Sequence, residues 1–184
     1  FFRDADPAGY ILFARNCESH DQMRRLVDDA RDAIGSNDAL ILIDQEGGRV
    51  QRLRPPLGRA LPAAALYGTL YATDPEEARR AAFLASRQTA ADLRALGINT
   101  NCAPVLDVPV TGSHNVIGNR AYSDSTEQVA TLGAAVADGF MAGGVLPVMK
   151  HIPGHGRGTA DSHHALPLVD DEGQVHRRGL EAIE

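Results

Sequence analysis

Short apolar runs alternate along this chain with longer stretches in which apolar residues recur every three or four positions. Tyr10-Ile11-Leu12-Phe13, entered through Gly9, is a continuous apolar run and predicts a strand buried on both faces, with Arg15 and Asn16 at its exit. Ser19 with Gln22 three residues later predicts a capping box, after which Met23, Leu26, Val27, Ala30 and Ile34 keep helical spacing until Gly35. Ala39 to Ile43 predicts a second buried strand, ending in the polar stretch from Asp44 to Arg52. Asp74 as N-cap, Pro75 at the first helical position and Glu76-Glu77 at the positive dipole end open the next helix. Its inward stripe is Ala78, Ala82, Ala85, Thr89, Leu93 and Leu96, and Gly97 ends it. Ile98 to Val108 predicts a strand broken near Pro104, with Asp107 and the loop from Gly112 to Arg120 at its exit. Asp124 or Ser125 caps a helix that buries Val129, Leu132, Gly133, Val136 and Phe140 before Gly143-Gly144. Val145 to Met149 predicts the strand that delivers Lys150, and Asp170 to Glu184 the start of a further helix.

Strand and helix thus alternate, and polar residues collect where each strand ends. Alternation of this kind predicts a parallel sheet with right-handed crossovers, either an open doubly wound sheet or a (β/α)8 barrel. Both put their chemistry at the C-terminal ends of the strands. A nucleotide-binding open sheet would carry a Gly-rich phosphate turn after an early strand. The Gly47-Gly48 pair has neither the GxGxxG spacing nor the lysine of a phosphate loop, which favours the barrel.

At 184 residues and 43% hydrophobic content the chain is sized for one well-cored domain. A net charge of -6 and the lack of a Lys/Arg cluster interleaved with aromatics argue against nucleic acid and for an uncharged or mildly polar substrate. Cys17 and Cys102 are isolated and lack zinc or redox spacing, as expected of ordinary thiols in a reducing compartment. No apolar run has the length of a membrane span and no signal peptide opens the chain. It begins Phe1-Phe2-Arg3 without an initiator Met, which suggests a fragment.

The densest chemistry lies between Lys150 and Pro167, where four of the seven histidines fall. Pro153 and glycines 154, 156 and 158 interrupt regular structure there, so these polar groups ride on a loop leaving a strand end. Asp161 stands two residues before His163. In extended backbone the two share a face, and the carboxylate can fix the imidazole tautomer and tune it for proton transfer. Lys150-His151 reads either as a ligand-facing pair or as an ion pair with a satisfied histidine. Asp44 and Arg52 bind a ligand or steady the Gly-Gly turn as a salt bridge, and Arg120 grips a hydroxyl-rich or anionic ligand or braces its loop. His164, Asp107 and Glu46 read as structural. Two rivals remain: a zinc site from His151, His155, His163 and Asp161, although Pro153 and Gly154 exclude the helix that a His-x3-His pair needs, and a sugar-binding module without catalysis.

The stretches Asp44 to Arg52, Ala103 to Val108, Ile117 to Tyr122, and Lys150 to Gly156 continuing through Asp161-Ser162-His163 closely resemble the family three glycoside hydrolases, in the bacterial beta-N-acetylhexosaminidase branch. The resemblance covers nearly the whole chain, with four motifs in order. It implies a (β/α)8 barrel and a cytoplasmic enzyme of cell-wall recycling, without metal or organic cofactor. That enzyme releases N-acetylglucosamine from the non-reducing end of peptidoglycan fragments. It further implies His163 with Asp161 as acid/base, and Asp44, Arg52, Arg120, Lys150 and His151 as sugar-binding residues. In that pattern the nucleophile is an aspartate at a later strand, beyond Glu184, and one strand precedes Tyr10. Residues 1–184 are therefore expected to be the N-terminal part of a single catalytic domain, monomeric and inactive alone, and neither Asp44, Asp107 nor Asp161 fills the nucleophile's role.

Overall fold

The computed structural model describes residues 2–152 and 154–166. A short helix α1 (Phe2–Ala5) leads into β1 (Gly9–Leu12), α2 (His20–Ile34) and β2 (Leu40–Ile43). A small antiparallel hairpin, β3 (Gln45–Gly47) and β4 (Val50–Gln51), follows β2 directly. Then come α3 (Ala64–Tyr71), α4 (Pro75–Arg94), β5 (Thr100–Asn101), α5 (Thr126–Ala142) and β6 (Leu146–Pro147). The helix expected from Asp170 lies outside the described residues.

The main sheet has the order β1-β2-β5-β6 and every pairing is parallel. Strand order follows chain order without the reversal that marks a doubly wound sheet, as in the wall of a barrel. The predicted helices form, although Gln22 Oε1 accepts the Glu18 amide rather than closing a box on Ser19, and Ser125 caps α5 without a side-chain bond. Ser19 accepts the Gln22 amide at 3.2 Å and Asp74 accepts that of Glu77 at 3.0 Å. Gly35 and Gly97 each take φ +80°, a left-handed conformation that suits glycine. Small residues let α4 and α5 approach closely. A Cβ on Gly139 would lie 2.0 Å from Ser86 Oγ, and one on Gly143 would lie 2.3 Å from Ala90 Cβ.

The strands are shorter than their apolar runs, and the reason is specific. Asn99 stands in for backbone, accepting the Ile41 amide at 2.8 Å and donating to the Ala39 carbonyl at 3.0 Å. Asn101 does the same for Gln45, at 2.9 Å in both directions. Cis-Pro104 and Pro147 supply no ladder donor. Burial on both faces, as expected for the strand at Tyr10, is also corrected. Leu12, Ile41 and Ile43 join Met23, Val27, Leu93, Leu132 and Phe140 in one core beneath the helices. Ile11, at the sheet's edge, is 38% exposed, and near β6 Leu146, Val148 and Met149 are exposed too. Among the described residues nothing covers these side chains.

Candidate active site

Asp44 follows the last residue of β2, and the hairpin behind it is built around a buried glutamine. Gln45 Oε1 accepts the amides of Arg52 and Leu53, both at 3.0 Å, and its Nε2 donates to the Leu53 carbonyl at 2.9 Å. Gly47 and Gly48 make the reversal at positive φ, where Gly47 passes so close to the Pro62 carbonyl that a Cβ would sit 2.2 Å from its oxygen. Arg52 is thereby held over the end of β2. Its Nη2 lies 2.8 Å from Asp44 Oδ2, so the salt bridge that could steady the turn is present. Beyond β6, the Lys150 amide donates to Pro104 O at 3.1 Å and its carbonyl accepts the Leu106 amide at 2.8 Å. That bridge fixes the side chain between two carboxylates, with Nζ 2.9 Å from Asp44 Oδ1 and 2.5 Å from Glu46 Oε1.

Arg120 completes the cluster from the loop before α5. Its Nε and Nη2 grip Glu46 bidentately, both at 2.8 Å, and Nη2 also lies 3.1 Å from His151 Nε2. His151 Nδ1 lies 2.5 Å from Asp107 Oδ2. Asp107 Oδ1 accepts the amides of Gly154 at 3.0 Å and Gly156 at 3.3 Å. A continuous chain results: Arg52, Asp44, Lys150, Glu46, Arg120, His151, Asp107. Three cations face three carboxylates around one imidazole, which balances charge in a setting too dry for unpaired ions. All five sequence-predicted sugar-binding residues, Asp44, Arg52, Arg120, Lys150 and His151, belong to it. Of the two carboxylates read from sequence as structural, Glu46 joins Lys150 to Arg120 and Asp107 anchors His151 at the end of the chain. Arg49 was not singled out by sequence, yet its guanidinium donates to the carbonyls of Asn115, Val116 and Ile117 and ties the hairpin to the loop carrying Arg120.

Asp161 and His163 pair as expected, with Nδ1 at 2.8 Å from Asp161 Oδ1, but by a different geometry. The backbone is not extended. Residues 162–164 turn, Asp161 Oδ1 also accepts the His163 amide at 2.9 Å, and the Asp161 carbonyl accepts the His164 amide at 3.0 Å. An aspartate bonding the amide two residues on forms an Asx-turn, and that local bond supplies the pairing. The His163 side chain is 79% exposed. The root of this loop is pinned, since Val110 N donates to Gly156 O and His114 N to Gly158 O at 3.3 and 2.9 Å. His155 connects root to tip, its ring 5.9 Å from that of His151 and its Nε2 3.0 Å from Ser162 Oγ.

These contacts set the electrostatics. Burial pushes the Asp44 carboxyl up, but hydrogen bonds from Lys150 and Arg52 outweigh it and hold the group below its ordinary value. For Asp107 burial again opposes, and the His151 bond with the Gly154 and Gly156 amides brings the net shift downward. The backbone and side-chain bonds from His163 hold Asp161 down to about 2. A carboxylate depressed in the folded state adds stability above its unfolded value, and that contribution is lost as pH falls through the folded value. The protein is therefore expected to lose stability as pH drops below about 4, and denaturation midpoints measured down to about pH 3 should fall less steeply in Asp44→Asn than in wild type.

Among the described residues no group of three His, Cys, Asp or Glu side chains is placed to hold a metal ion. The zinc reading meets a specific obstacle at His151, whose two ring nitrogens face Asp107 and the Arg120 guanidinium. A groove of about 650 Å³ between α4 and α5, lined by Asp74, Glu77, Arg80, Phe83 and Asp138, contains no residue of the network.

The profile described as "Glycosyl hydrolase family 3 N terminal domain" matches residues 3–180. The chain belongs to glycosyl hydrolase family 3. The Beta-hexosaminidase of Bordetella avium is 42% identical over 160 residues, which cover 87% of this chain and 45% of that protein. The chain thus spans about half the length of the curated relatives it matches. A family 3 beta-N-acetylglucosaminidase from Paenibacillus superposes with a TM-score of 0.83 at 37% identity, over 97% of this chain and 33% of that one. NagZ from Neisseria gonorrhoeae gives 0.79 at 38% identity, over 87% of this chain and 46% of its own; it has also been solved with N-trifluoroacetyl-D-glucosamine and with a zinc ion. The parallel four-stranded sheet with its helices is the TIM-barrel architecture of this family's N-terminal domain. No helix among the described residues is long and apolar enough to cross a membrane.

Proposed function

We propose that the whole protein is a retaining exo-beta-N-acetylglucosaminidase that removes N-acetylglucosamine from the non-reducing end of peptidoglycan fragments, in the cytoplasm and as a monomer. Residues 1–184 supply the N-terminal part of its single catalytic domain. The observation that carries this reading is the strand-end network, which presents acceptors and donors side by side at a barrel's C-terminal face. A hydroxyl-rich, uncharged ring needs both kinds of partner, and a charge-balanced cluster offers them without attracting ions. Asp44, Arg52, Arg120, Lys150 and His151 bind the sugar in this account. The relatives' names and the aminosugar analogue held by the Neisseria protein support the substrate class.

His163 serves as acid/base. With Nδ1 engaged by Asp161, Nε2 is the atom that exchanges a proton. As a carboxylate attacks the anomeric carbon, Nε2–H protonates the departing glycosidic oxygen; then the neutral imidazole takes a proton from the water that displaces the carboxylate. Asp44 and Asp107 are poor candidates for the nucleophile. The first is held between two cations and the second is completely buried. The nucleophilic carboxylate lies outside residues 1–184, and no metal or organic cofactor takes part.

The test is hydrolysis of an aryl N-acetyl-β-D-glucosaminide by the whole protein with and without a chelator. Unchanged turnover is expected. Loss with the chelator and recovery with zinc would favour a metal-dependent TIM-barrel hydrolase, and binding without hydrolysis a non-catalytic amino-sugar module.

A further inference from the structure

We infer that Asp107 decides which ring nitrogen of His151 carries the proton and, through that choice, aims Arg120 into the site; it is a positioning residue that never touches the sugar. The inference rests on the sugar-binding role proposed above for Arg120 and His151. Asp107 has no solvent exposure. Its Oδ1 is taken by the Gly154 and Gly156 amides, and Oδ2 lies 2.5 Å from His151 Nδ1. An ionised carboxylate can only accept, so Nδ1 must bring the hydrogen. At the other side of the ring, Nε2 lies 3.1 Å from Arg120 Nη2. A guanidinium can only donate, so Nε2 must be the lone pair. Two independent neighbours thus demand one state, the neutral Nδ1–H tautomer.

The consequence reaches Arg120. Its two Nη2 hydrogens go to Glu46 Oε1 and to His151 Nε2, and its Nε hydrogen goes to Glu46 Oε2. Those three bonds fix the plane of the guanidinium. An Nε2–H on His151 would point a hydrogen at a donor and a positive charge, turning Arg120 off the Glu46 fork. Asp107 also holds the root of the loop that bears Asp161 and His163, so deleting the side chain would confound two roles. Asparagine separates them. Asp107→Asn keeps an oxygen for the Gly154 and Gly156 amides but presents an N–H to His151 Nδ1, which forces the proton to Nε2.

The experiment uses the whole protein labelled with 15N-histidine, the His151 signals being assigned by their absence in His151→Gln. The wild-type spectrum should show a protonated Nδ1 and a bare Nε2, and Asp107→Asn should exchange the two. For an aryl N-acetylglucosaminide, Asp107→Asn should raise KM about tenfold or more with a smaller change in kcat, because a ground-state contact is misaimed rather than the proton donor removed. Asp107→Ala should add a loss of thermal stability that Asp107→Asn largely avoids. A wild-type His151 bearing its proton on Nε2, or the same tautomer in both proteins, would overturn the inference, as would an exchanged tautomer with unchanged KM. If Asp107→Asn does not fold, the wild-type spectrum alone still decides whether Nδ1 carries the hydrogen. If the wild-type protein hydrolyses no aminosugar glycoside, the proposed function fails while the nitrogen spectra continue to report on Asp107.

Discussion

Replacing His163 with alanine in the whole protein should lower turnover of an N-acetylglucosaminide with a poor leaving group by about 10²–10⁴-fold, the usual contribution of a positioned acid/base. An activated aryl glycoside should lose far less in the glycosylation step, because its departing oxygen needs little protonation. The pair's geometry motivates the contrast. Asp161 Oδ1 lies 2.8 Å from His163 Nδ1, and because its carboxyl is held down to about 2 it stays ionised throughout the working range of pH. The contact at Nδ1 fixes the ring's orientation and leaves Nε2 as the exchanging atom. Asp161→Ala should therefore act in the same direction with a smaller loss. Equal losses on both substrates, measured as initial rates across a series of leaving groups, would remove His163 from the acid's role.

Glu46→Ala should produce the largest loss of stability of any single substitution in the network, about 3–5 kcal/mol. Glu46 is 6% exposed and accepts two bonds from Arg120 and one from Lys150, whose own side chains are 12% and 13% exposed. Removing it leaves two nearly buried cations short of a counter-charge, and Lys150 would keep only Asp44. The expense lies in those stranded charges, not in the bonds counted singly. Glu46→Gln keeps the shape and one acceptor oxygen, so it should cost less than Glu46→Ala while still leaving the cluster one charge out of balance. Denaturant midpoints of wild type and both variants check this ordering. A shift below about 1 kcal/mol for Glu46→Ala would place the cluster among ordinary surface ion pairs.

The parts of this molecule legible in the sequence are those encoded locally. α2 and α4 announce themselves through Ser19, Asp74 and Pro75, because a cap is a bond between residues three apart. α3 was not legible. Its N-cap position is Ala63, which makes no side-chain cap, and Leu66 on it is exposed. The strand lengths were not legible because Asn99 and Asn101 occupy ladder positions with side-chain amides, something an apolar run cannot announce. At the site, the gathering of Asp44, Lys150 and Arg120 followed from the rule that strand ends meet. The partners that bind them together did not. Glu46 meets Arg120 across 74 residues and Asp107 meets His151 across 44, and such pairings leave no periodic trace. The pairing of Asp161 with His163 is legible in their spacing but the backbone beneath it is not, since an Asx-turn and an extended strand both bring residues two apart within reach.

The most direct measurement is the crystal structure of the whole protein with N-acetylglucosamine. The sugar should lie within hydrogen-bond distance of Asp44, Arg52, Arg120 and Lys150 and against the ring of His151, with Glu46 and Asp107 behind them and out of contact. A sugar bound instead in the groove between α4 and α5, against Asp74, Arg80 or Asp138, with the strand-end network unoccupied, would contradict the account.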